Sequence, residues 1–101
     1  MKIYDKAAWH IDGGEKAVDV VKRLSVVFEF LKDKGMLNNN GVETLEYAMD
    51  SSVSLNSSMV NVIGKKFLET YYDTVLKKNP KQIKKNLEDS YVLFNNQEEN
   101  V

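Results

Sequence analysis

Apolar residues recur along this chain in blocks, each with the spacing of one helical face and each closed by a polar turn. The clearest block runs over 15–34, where Val20, Val21, Leu24, Val27, Phe28 and Leu31 fall at the i, i+3, i+4, i+7 positions of an amphipathic helix. Val26 and Phe30 widen that stripe, which predicts the central and most buried helix. Lys32 and Lys34 suit its negative end, and Gly35 suits a left-handed cap. A short helix is predicted over 41–49, with Asn40 as its N-cap and Val42, Leu45 and Met49 on one side.

Residues 50–58 break the period. Five serines there compete for backbone hydrogen bonds, and Val53 and Leu55 alternate with serines as in a short extended piece. Helical spacing returns over 59–78, with Met59, Ile63, Phe67, Tyr71 and Val75 as an i, i+4 ladder. Gly64 inside that stripe costs about 1 kcal/mol relative to Ala, the mark of a close crossing. Asn79-Pro80 opens a last helix over 80–94, faced by Ile83, Leu87, Tyr91 and Phe94.

The reading is an all-α fold: a compact bundle of about four helices forming one domain over 1–94, then a polar tail over 95–101. The N-terminal segment, Ile3 to Ile11, is irregular and is expected to pack across the bundle through Trp9. A large buried aromatic of that kind makes Trp9→Ala cost about 3 kcal/mol or more.

Composition narrows the function. The 101 residues carry 14 Lys+Arg against 15 Asp+Glu, a net charge of −1, which argues against a polybasic nucleic-acid binder. The absence of cysteine removes disulfides, thiolate metal sites and a cysteine nucleophile, and a single histidine removes a multi-histidine metal site. No cofactor and no metal is expected. The opening residues lead into no apolar signal segment, and the stretch from Val18 to Leu31 is interrupted by charge, so a cytoplasmic protein without membrane contact is expected. Thirteen lysines against one arginine, with ten asparagines, suggest an AT-rich bacterial genome.

Little catalytic chemistry is available. His10, the one imidazole, is read as a structural hydrogen-bond donor beside Trp9. The alternative is a general base oriented by Asp5, Asp12, Asp50 or Asp73, in a small enzyme or ligand-binding domain. The serine cluster has no nucleophile elbow, and Gly64-Lys65-Lys66 lacks the rest of a phosphate loop. Lys77, Lys78, Lys81, Lys84 and Lys85 form a basic corner, which pairs of Lys84 with Glu88 and Lys85 with Asp89 would partly neutralise; no specific nucleic acid is expected there. Tyr71-Tyr72 point about 100° apart on a regular helix, so only one can sit at the centre of a face. The remaining class is a non-enzymatic interaction module with a protein partner, whose candidate contact residues are Trp9, His10, Asp12, Asp50 and Tyr72.

Two segments carry a resemblance. Tyr4-Asp5-Lys6-Ala7-Ala8-Trp9-His10, followed by Gly13-Gly14, resembles the Y-D-x-A-x-W-H opening of a family of small uncharacterised bacterial proteins. Gly64-Lys65-Lys66-Phe67-Leu68-Glu69-Thr70-Tyr71-Tyr72 resembles the G-x-x-F-x-x-x-Y-Y segment of the same proteins. Together the two cover about a sixth of the chain. The middle departs from the family, with Val26-Val27-Phe28-Glu29-Phe30-Leu31 where an H-I-G-x-F-x-x-W-type helix belongs. The resemblance implies a single-domain accessory or immunity-type protein encoded beside its partner. It also implies that the two segments touch, with Trp9 in the space left by Gly64 and His10 near Tyr72 or Asp73.

Overall fold

In a computed structural model, residues 1–99 are described. The chain runs β1 (Ile3–Lys6), α1 (Ala7–Asp12), α2 (Ala17–Asp33), α3 (Asn39–Tyr47), β2 (Ser54–Asn56), α4 (Val62–Tyr71) and α5 (Ile83–Glu99). A π turn over Tyr72–Leu76 follows α4, and one-turn 3₁₀ segments precede α4 and α5. The fold is mainly helical, but β1 and β2 form a two-stranded antiparallel sheet, so it is not purely all-α. The alternation at 53–55 signalled β2. The four residues of β1 were too few to show a period.

α2 is the central helix, with Val20, Leu24, Val27, Phe28 and Leu31 all buried against the rest of the chain. Gly35, at φ +68°, reverses the chain after it. Asn38 rather than Asn40 caps α3, accepting from the Gly41 amide at 3.0 Å, and Asn61 caps α4, accepting from Gly64 at 2.9 Å. The polar stretch from 95 is helical through Glu99, and the last two residues of the expected tail lie outside the described residues.

Three expectations need correction. α4 turns inward with Gly64, Phe67, Leu68 and Tyr71, leaving Ile63 45 % exposed. The reason is Gly64, where a Cβ would sit 2.7 Å from the Met36 carbonyl; the close approach is to the turn after α2. That space is filled by backbone and by Val60, not by an indole. Trp9 accordingly does not anchor the N-terminal segment, and half of its surface is exposed. On the six-residue α1, Ala7 and Ile11 lie four apart and face the core, which places Trp9 about 200° from Ala7. Lastly, Lys84–Glu88 and Lys85–Asp89 do not come within 4 Å of each other among the described residues.

Candidate functional site

Two local irregularities build the site. The first is in β1, whose register against β2 slips between Ile3 and Asp5, a bulge that leaves Tyr4 without a partner position. Adjacent strand residues normally face opposite ways, and a bulge re-aims them. Here Tyr4 and Asp5 are both buried. The second is the π turn. The Lys77 amide donates to the Tyr72 carbonyl at 2.8 Å, one residue further than in an α-helix. Tyr71 closes α4 and Tyr72 opens this wider turn, and both are buried.

The two irregularities meet. The Tyr72 hydroxyl donates to Asp5 Oδ2 at 2.5 Å, within the core. Asp5 Oδ1 accepts from the Lys6 amide at 2.9 Å and lies 2.7 Å from His10 Nε2. His10 Nδ1 lies 3.0 Å from Glu15 Oε2. Both Glu15 oxygens accept from the Arg23 guanidinium, at 2.9 and 3.1 Å, the bidentate geometry suited to carboxylate recognition. The turn that returns Glu15 to His10 depends on Gly14 at φ +103°, and the Glu15 amide donates to the His10 carbonyl at 3.0 Å. The result is one chain of side chains, Tyr72–Asp5–His10–Glu15–Arg23, which ties β1, α1, α2 and the π turn.

Its electrostatics follow from burial and charge. Burial pushes the Tyr72 hydroxyl well above the ordinary phenol range, and the neighbouring Asp5 charge pushes it the same way. Hydrogen bonding to Arg23 holds the Glu15 carboxyl below the usual carboxylate range, with His10 adding to it. Tyr4 is raised by burial and then by the charge of Glu69.

Trp9 stands on the outer side of this chain. The Lys77 ammonium lies 5.4 Å from the centre of its ring and 5.6 Å from that of Tyr72, and also pairs with Asp73 at 3.1 Å. Trp9, His10 and Tyr72 are thus brought together, His10 and Tyr72 through Asp5. Asp12 is exposed at the end of α1. Asp50 belongs elsewhere, accepting from the amide and hydroxyl of Ser52 in its own turn, and those bonds lower its carboxyl. Asp73 pairs with Lys77 rather than His10. Sequence reasoning missed Glu15, Arg23 and Lys77; the only signal for Glu15 was the Gly13-Gly14 turn before it.

The arrangement restricts the chemistry. A base that activates a nucleophile needs one free ring nitrogen, and here a carboxylate faces each nitrogen of His10. The Tyr72 hydroxyl is already committed, donating its hydrogen bond to Asp5. Ser57 and Ser58 are engaged with Lys2 and Asn56. Among the described residues, no group of three or more His, Asp or Glu side chains is placed to hold a metal ion, and no helix is long and apolar enough to cross a membrane. No protein-family model, curated protein or solved structure matches the chain.

Proposed function

We infer that the protein is a non-enzymatic interaction module, of the cytoplasmic immunity or regulatory type implied by its two motifs, and that its contact surface centres on Trp9. The observation that carries this reading is a half-exposed indole on a helix held from behind by a polar chain that is buried at its Asp5–Tyr72 end. Interfaces draw much of their affinity from tryptophan, tyrosine and arginine anchors. An anchor already fixed in place loses little conformational freedom on binding. Lys77 supports the ring from one side, and Asp12 lies at the end of the same helix. The enzyme reading loses support because His10 offers no unoccupied nitrogen.

The test uses the full chain as bait in its native host. A stoichiometric protein partner retained by the wild type and by Tyr47→Ala, but lost from a folded Trp9→Ala variant, is the expected result. Tyr47 is the control because it is an exposed aromatic on α3, 84 % accessible, outside the Trp9 corner. Equal retention by Trp9→Ala would overturn the reading.

A further inference from the structure

Asp or Asn precedes a glycine twice in this chain, at Asp12-Gly13 and at Asn40-Gly41. At such a pair the glycine amide nitrogen can reach the side-chain carbonyl carbon, because glycine has no Cβ to obstruct the approach. In an unfolded chain Asn-Gly is the faster of the two. Its side chain is neutral, whereas a carboxylate is ionised near neutral pH and must first take up a proton. The fold reverses that order. The Gly41 amide donates to Asn38 Oδ1 at 3.0 Å, and Asn40 Nδ2 donates to the Ser58 carbonyl and hydroxyl oxygens, each at 3.2 Å. Gly41 is buried where an added Cβ would collide with the Met59 carbonyl, so its backbone has no room to turn. Asp12, by contrast, is the exposed last residue of α1 and enters no ion pair among the described residues. The bonds that close the turn beyond it leave from the Gly14 amide to Ile11 and from the Glu15 amide to His10, both at 3.0 Å, and the Gly13 amide makes neither. A Cβ at Gly14 would meet nothing within 4 Å, so the turn lies in open space.

We propose that Asp12 is a site of spontaneous isoaspartate formation in the folded protein, while the fold shields Asn40. The Gly13 nitrogen bonds to the protonated Asp12 side-chain carboxyl carbon, and the acid's hydroxyl leaves with the amide proton as water. A second water opens the resulting succinimide at the former main-chain carbonyl. Gly13 is then joined through the side chain, and the former main-chain carbonyl carbon becomes the free carboxylate. Composition and charge are unchanged, but the backbone gains one methylene. That extra length falls between His10 and Glu15, whose side chains meet at 3.0 Å only because the turn is tight. The product therefore unlinks Glu15 and Arg23 from His10. The proposal does not rest on the Trp9 reading.

Ageing the full chain at neutral pH, folded and in urea, tests it. Isoaspartate is read as methyl groups accepted from an isoaspartyl methyltransferase, and deamidation as a mass change. Trypsin places Asp12 in peptide 7–16 and Asn40 in peptide 35–65. In urea, Asn40 is expected to convert first. In the folded chain, peptide 7–16 is expected to accept methyl groups while Asn40 keeps its mass. Gly13→Ala puts a Cβ in ordinary contact with the His10 and Trp9 carbonyls, at 3.4 and 3.5 Å, so the variant folds. It is expected to slow the reaction at Asp12 at least about tenfold. A folded chain that gains no isoaspartate in 7–16 while the same peptide in urea does would overturn the proposal. So would Asn40 deamidating as fast folded as in urea, or an unchanged rate at Asp12 in Gly13→Ala.

Discussion

The two ends of α4 hold the molecule together by different physics. Toward its middle, Phe67 is the hub of an aromatic cluster, with ring centres 5.5 Å from Tyr71 and Phe94, 6.1 Å from Phe30 and 6.3 Å from Tyr91. Beyond its end, Tyr72 leaves that cluster and enters the polar chain through Asp5 to Arg23. The cluster gains stability from area and shape, and its geometry is tolerant. The Tyr71 hydroxyl is buried there without a hydrogen-bond partner among the described residues. The polar chain gains less per residue but is directional, because each bond fixes an orientation. The first region keeps the protein folded; the second decides where α1, and therefore Trp9, is presented.

That contrast can be broken from either side. Phe67→Ala empties the centre of the cluster and is expected to cost about 4 kcal/mol, read as a lower urea midpoint. Asp5→Ala leaves the buried Tyr72 hydroxyl and His10 facing a void, and is expected to cost about 3 kcal/mol. Raising the pH attacks the same bond without mutation. The folded Tyr72 phenol ionises at higher pH than the unfolded one, whose value is 10.0. Its contribution to stability is therefore whole below about pH 10 and is lost as pH climbs through the raised folded value. Ultraviolet titration should show Tyr72 and Tyr4 ionising above the ordinary phenol pH, with Tyr72 coupled to unfolding. Ionisation of Tyr72 at the ordinary phenol pH would mean that it is not enclosed. Trp9→Ala is the smallest of these changes, about 1 kcal/mol from the lost Lys77 contact and partial burial. A loss near 3 kcal/mol would restore the ring to the core.

What the sequence made legible follows the same division. Periodicity found the core face of α2 almost residue by residue, because burial there obeys an unbroken helix. It also found the extended piece at 53–55 and the left-handed Gly35. It misread α4 because Ile63 looked like a ladder member, while Gly64, the residue in close contact, has no side chain to count. It missed the Tyr72–Asp5 bond for a deeper reason. A bulge and a π turn each insert one residue into a regular repeat, and a periodic reading assumes that the repeat continues. The assumption put only one of the two tyrosines at the centre of a face and gave no reason to bring Asp5 to the other. Glu15 had only the Gly13-Gly14 turn to signal it, because its approach to His10 depends on the left-handed Gly14, a backbone property rather than a pattern of side chains.

Native-state hydrogen exchange on Tyr72→Phe tests most directly whether the polar chain positions α1 rather than merely adding stability. The variant keeps the ring and removes only the hydroxyl that reaches Asp5. The account predicts that amides of β1 and α1 lose protection while those of α2, α4 and α5 keep theirs after correction for global stability. An equal loss of protection over every element, with α1 no worse than α2, would contradict it.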